Sequence, residues 1–268
     1  MAKLRTPKPT GPRRKDESAY YRAIRQDILN PLFERVKRKL ATVPPIAAAW
    51  KNAVNLEFER FVAAPTFGVA TASVALDNIR AAHKAQMIKS FQAALGIDIT
   101  PMMSDLAIRP IMNQALLDNI ALIKSIPEEL NLQIVSSFDK IVFEKGFDQQ
   151  AMVQTLEKRF KVANNRARFI ARDQTEKIVG RLNEARQTDL GIKSYIWQTS
   201  EDERVVGTPG GAYPDPSPGH GDHYSRNQKE FLWKIPPHDG HPGEAFNCRC
   251  IAIPVIPELQ QSEERAAA

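Results

Sequence analysis

The stretch Leu190–Ser200, LGIKSYIWQTS, divides this chain into two kinds of sequence. Before it, apolar residues recur at helical spacing. After it, they stand in short runs among Pro, Gly, Asp and His. Gly191 is the residue type that ends helices in the left-handed conformation. Lys193–Ser200 is rich in aromatic and β-branched side chains, which suit a strand. Working outward from this point, the predicted fold is α+β: a mostly helical N-terminal two-thirds, followed by a small loop-rich C-terminal domain with a few antiparallel strands.

Upstream, Ile24, Ile28, Leu32, Val36 and Leu40 recur every fourth residue with Arg and Lys between them, an amphipathic helical pattern. Asn30-Pro31 reads as a cap followed by Pro at a first helical position, so two helices are expected to meet there. Pro44-Pro45 marks the next break. A long run from Val69 to Leu95 ends at Gly96, a C-cap signal. Pro127-Glu128-Glu129 reads as a new first turn, and Asp148 as an N-cap with Phe147 and Met152 as its staple. The last long helix is expected over about Asn164–Asp189. These signals divide the chain into a disordered basic arm (1–15), a helical domain (16–160), a C-terminal domain (161–257) and a tail (258–268).

Downstream, Cys250–Val255 is a second strand-like run. About fifty residues dense in Pro, Gly, Asp and His separate it from the first, and a segment so long and irregular needs something to hold it. Both cysteines of the chain fall in GHPGEAFNCRC, residues 240–250. Three readings compete. A disulfide between residues this close is badly strained. The thiols could be two small hydrophobes. They could also bind a metal, since alternate residues of an extended segment share a face. His220, His223, His238 and His241 lie nearby, leaving only His83 elsewhere. The expected set is a structural Zn²⁺ held by Cys248, Cys250, His223 and His241, a staple for a segment without much core.

The composition, 43% hydrophobic and 25% charged over 268 residues, is that of a folded chain rather than a disordered one. No apolar run is long enough to span a bilayer, and the first residues lack the apolar core of a secretory leader, so no membrane partner is expected. The net charge is +6. Lys3, Arg5, Lys8, Arg13, Arg14 and Lys15 precede the first acid, Asp16. This arm reads as mobile and suited to nonspecific contact with the phosphates of double-stranded DNA, or equally as a solubilising terminus. No phosphate-binding or dinucleotide glycine pattern occurs. A catalytic thiol on a helix N-terminus is not indicated either, because Cys248 precedes a strand. No catalytic residue is assigned, and the chain is read as a non-enzyme.

Taken in order, Ala171–Glu176, Gly191, Tyr195–Ser200, Asp202–Val205, His223, Phe231–Trp233, Pro236-Pro237, Asp239–Gly243 and Asn247–Cys250 resemble the Mu F-like phage head morphogenesis (minor head protein) family. The resemblance covers about a hundred residues, from near Phe160 to Val255. One departure is that GTPGGAYPDPSPGHGDH lengthens the stretch between the Asp-x-Arg-Val segment and His223. The resemblance implies a minor capsid component near the portal, acting in head morphogenesis. Its partners would be the portal and other head proteins, and its location the virion, with the host cytoplasm during assembly. The alternative is a metal-dependent nuclease or toxin-like effector carried in the head. In that reading the same histidines would serve catalysis.

Overall fold

The protein is described here from a computed structural model covering residues 6–256. The expectations for Lys3, Arg5 and the 258–268 tail lie outside the described residues. The fold is α+β. Helices α1 (Arg14–Ile24), α2 (Asn30–Leu40), α3 (Ala47–Val62), α4 (Val69–Leu95), α5 (Arg109–Lys145) and α6 (Gln149–Asp189) precede strand β1 (Ser194–Gln198). The one-turn α7 (His223–Arg226) and strands β2 (Glu230–Leu232) and β3 (Ile251–Pro254) follow. No helix among the described residues is long and apolar enough to cross a membrane.

The chain forms two compact units that are not contiguous in sequence. One comprises Arg14–Ala75 with Ala115–Arg172, the other Met1–Arg13, Leu76–Gln114 and Asp173–Ala268. This differs from a simple division near residue 160. Helices α4, α5 and α6 each run through a unit boundary, and no turn signal marks the place.

The first unit is all helical. The every-fourth apolar series is its spine: Ile24, Ile28, Leu32, Val36 and Leu40 are all buried. Phe160 packs against Phe33 at 4.8 Å, and Trp50 meets Phe147 edge-on at 5.5 Å. Polar side chains buried there are paired. Tyr20 donates its hydroxyl to Asn119 Oδ1 (2.6 Å), and Glu57 accepts from Arg35 (3.2 Å). Two punctuation signals act differently from expectation. At Asn30-Pro31 the helix does not stop. Residues 25–29 form a π turn in which the Asn30 N–H reaches Arg25 O, and this wider register absorbs the missing N–H of Pro31. Pro127 starts nothing: it is buried inside a continuous α5, where packing overrides the local preference for a break. Asp148 does cap α6, accepting from the Ala151 N–H at 2.9 Å, but α6 then runs unbroken to Asp189.

The second unit holds the three-stranded antiparallel sheet, ordered β2-β1-β3. Tyr195 and Trp197 alternate onto one face of β1 and are fully buried with Trp233, Cys248, Cys250 and Ala252. Residues 6–13, expected as a mobile arm, are docked on this unit. Lys8 O accepts from Ser90 Oγ (2.7 Å), Thr10 O accepts from Asn183 Nδ2 (2.8 Å), and α1 begins at Arg14. Pro7, Pro9 and Pro12 prevent a helix, but they also restrict the unfolded backbone and so lower the entropic cost of laying it down.

A buried polar network also lies in this unit. Arg186 is 2% exposed and donates to His83 Nδ1 at 2.8 Å. It also reaches Asp105 at 3.3 Å. The other imidazole nitrogen, Nε2, donates to Asn183 Oδ1 at 3.0 Å. Burial first, then the Arg186 guanidinium, hold the His83 pKa down at about 3, so the ring is neutral.

Candidate metal centre

The site grows from three loops converging on the buried face of β1. The first is anchored by Asp222, whose carboxylate accepts from Ser225 N–H (2.9 Å) and caps α7, setting His223 as its first residue. The His223 ring lies edge-on to Trp197 at 5.0 Å. The second loop, 239–248, is held against α6 by two close approaches. Asn247 N–H donates to Asp173 Oδ1 at 2.8 Å. At Gly180 a Cβ would sit 2.5 Å from Pro242 O, so only glycine allows the loop to lie this close. The third piece is the entry to β3, which carries Cys250.

His223, Cys248 and Cys250 form a buried cluster that could hold a metal ion, with one ligand atom from each within 4.8 Å of the others. His223 Nδ1 stands 3.6 Å from Cys248 Sγ and 3.5 Å from Cys250 Sγ. Its other nitrogen, Nε2, donates to Asp239 Oδ2 at 2.8 Å. A carboxylate on Nε2 fixes the tautomer with its lone pair on Nδ1, facing the sulfurs, which is the usual support for a metal-bound histidine. Asp239 is itself pinned, accepting from Gly221 N–H (2.7 Å) and Arg226 (2.6 Å), and the Arg226 guanidinium lies 4.9 Å over Trp197.

The electrostatics favour an ionised sulfur. The Cys248 thiol is drawn well below its ordinary range, chiefly by the hydrogen bond with Cys250. Burial opposes this, and His223 assists it. Cys250 moves the other way, raised by sharing that proton and by burial. Cys248 Sγ also accepts the backbone N–H groups of Gly243 and Cys250, both at 3.4 Å. Burial favours a neutral His223, but Cys248 and Asp239 outweigh it and raise its pKa. Asp239 is pushed up by burial, yet the Gly221 N–H, Arg226 and His223 together hold it below the usual carboxylate range.

A thiol, an imidazole and a carboxylate in line could also describe a nucleophile with its base and orienting group. Both thiols are shielded from solvent. Cys248 is 3% and Cys250 6% exposed. One cavity of this unit, of roughly 330 Å³, is lined by Thr199, Glu201, Thr208, Tyr224 and their neighbours, and by neither thiol nor His223.

Of the four expected ligands, the structure brings together His223, Cys248 and Cys250, and it places His241 elsewhere. His241 Nε2 donates to Trp233 O (3.1 Å), leaving Nδ1 to accept the Tyr195 hydroxyl (2.9 Å). Both nitrogens are spent on structure, and the ring packs edge-on to Trp233 at 4.9 Å. Asp239 and Arg226 were missed as site residues, although Asp239 stands in the same Asp-Gly-His-Pro-Gly run as His241. Asp202 accepts two bonds from Arg249 (2.7 and 2.6 Å), which draw its pKa down to about 2 against burial, and it also pairs with the Arg204 guanidinium at 3.7 Å. Of the expected DNA-contacting residues, Lys8, Arg14 and Lys15 are exposed and Arg13 is half-buried.

No protein-family profile matches this chain, and no solved structure matches it. Among curated proteins, an uncharacterized protein of Haemophilus influenzae is 30% identical over 183 residues, 68% of this chain. The matched region is 38% of that protein, so the chain spans well under half of its relative's length.

Proposed function

We propose that this chain is a minor head protein of a phage particle, acting by contact near the portal during head morphogenesis, with its C-terminal unit stapled by Zn²⁺ on Cys248, Cys250 and His223. What supports this reading is where the residues resembling the Mu F-like family fall. Tyr195, Trp197, His223, Trp233, Asp239, His241, Cys248 and Cys250 meet in one small buried cluster, each engaged with another. That is how a stapled scaffold is built, whereas a turnover site needs a reactive group open to substrate. The donor set suits zinc: two thiols, one of them readily ionised, and an imidazole lone pair oriented by a carboxylate.

The alternative of a metal-dependent nuclease draws on the same residues. One experiment separates the two. Protein purified without chelator is assayed for zinc and incubated with plasmid in Mg²⁺, Mn²⁺ and Zn²⁺. Stoichiometric zinc with intact plasmid is the expected outcome. Plasmid cleavage that disappears in a folded His223→Ala variant would overturn the contact role, and metal-free native protein would overturn the staple.

A further inference from the structure

Three protein ligands leave a structural zinc site one short of its usual four. The carboxylate of Asp239 already takes three donors and is 1% exposed, so it acts as the support of His223 rather than as a ligand. His241 has no free nitrogen. A further candidate donor among the described residues comes from the stretch that lengthens this chain before His223. Ser217 and His220 exchange both backbone hydrogen bonds, at 2.9 and 3.0 Å, closing a tight turn. The next residue, Gly221, is anchored on Asp239, and a Cβ there would collide with Arg226 and His238. The turn therefore presents His220 at a fixed place, its ring 4.4 Å from that of His223.

The hydrogen bonding of His220 decides which nitrogen keeps its lone pair. Nε2 lies 3.1 Å from Phe246 O. A carbonyl only accepts, so Nε2 carries the hydrogen and Nδ1 carries the lone pair. Nδ1 is buried and has no hydrogen-bond partner among the described residues. A buried acceptor without a donor is costly. A metal ion satisfies it, as it satisfies the matching lone pair on His223 Nδ1. One ligand atom of His220 lies within 4.8 Å of those of His223 and Asp239, in a group that contains neither thiol, so His220 must move toward the sulfurs to join them.

We infer that His220 is the fourth ligand, closing onto the metal through Nδ1 to complete a Cys₂His₂ site. The inserted 207–222 segment is then the arm that delivers it. This rests on the metal reading above, and the test separates the two. Purified full-length protein is titrated with Co²⁺, and zinc affinity is measured by chelator competition. His220→Ala should shift the visible Co²⁺ bands and weaken zinc by at least about tenfold, the lower end of what even an outer-shell partner contributes. His220→Cys should restore binding and strengthen the sulfur-to-cobalt charge-transfer absorption, an effect a merely structural histidine would not produce. His241→Ala should leave the cobalt spectrum unchanged. Wild-type protein that takes up no Co²⁺ refutes the metal centre itself. Uptake with the same spectrum and affinity in wild type, His220→Ala and His220→Cys refutes His220 alone.

Discussion

Lowering the pH should destabilise the sheet-containing unit through His83, and the size of the effect follows from its surroundings. The ring is 1% exposed, donates to Asn183, and accepts from an Arg186 that is itself buried and tied to Asp105. A second proton would have to enter on Nδ1, against the Arg186 guanidinium. The pKa therefore falls from 6.5 to about 3 on folding. Because the folded value is the lower one, the unfolded chain takes up the proton first. Stability is full above about pH 6.5 and is lost progressively as the pH drops toward about 3. Between pH 7 and pH 5 the loss comes to about 2 kcal/mol, and this figure hardly depends on the folded value once that lies below about 4.

The assay is urea denaturation at both pH values for wild type and His83→Gln, followed by Trp fluorescence. The variant will be less stable overall, but it has no proton to take up at this position. Wild type should lose about 2 kcal/mol more than the variant between pH 7 and pH 5. His223 shifts in the opposite direction, yet it is common to both proteins and drops out of the difference. Equal pH dependence in the two proteins would refute the buried neutral ring.

Gly180→Ala should destabilise the protein even though alanine gains about 1 kcal/mol of helix propensity over glycine. Its Cβ would sit 2.5 Å from Pro242 O, a backbone atom that cannot swing aside, and overpacking of this kind costs about 1–3 kcal/mol; thermal denaturation reads the sign. Asp239→Asn should lower zinc affinity by about 10–100-fold by removing the carboxylate that orients His223, measured by chelator competition, and an unchanged affinity would sink the supporting role. Deleting residues 1–15 should weaken nonspecific binding to double-stranded DNA and flatten its salt dependence, by about 0.9 in log K per log salt for each phosphate that the arm neutralises. Equal slopes for both proteins would exclude the arm.

The sequence carried the parts of the fold that local chemistry controls. Gly96 and Gly191 stand at positive φ just past α4 and α6, as their C-cap reading requires. Asp148 caps, and the every-fourth apolar spine is buried. It carried less where packing competes with local preference. Pro127 is a good first-turn residue and still lies within α5, because burial of its neighbours on both sides outweighs one missing hydrogen bond. Strand β2 is three residues long, too short for any periodicity to announce it. At the candidate metal centre, the two cysteines and His223 were legible because their types are rare and clustered. His241 was misplaced because sequence proximity cannot report that a ring is already committed to Tyr195 and Trp233. Asp239 and Arg226 were missed since a carboxylate and a guanidinium acquire their meaning here only from whom they touch.

The question of why two cysteines stand one residue apart turns on what each reading asks of the sulfur. A small buried hydrophobe asks for apolar neighbours, and Trp197 and Ala252 do lie in the same cluster. But Cys248 Sγ accepts two backbone N–H groups and faces an imidazole whose far nitrogen is held by a carboxylate. Donors converging on a sulfur stabilise negative charge there, which apolar packing has no use for. The backbone bends to arrange it: Asn247 takes a left-handed φ of 55°, and Cys248 N–H closes a turn on Ala245 O at 3.1 Å. The spacing then follows from geometry. One intervening residue, Arg249, faces away to bind Asp202, while the flanking thiols turn together toward His223. A single short segment thus fastens the surface loop to β1 on one side and presents two sulfurs to one imidazole on the other. The same contacts give the loop its order and the site its charge.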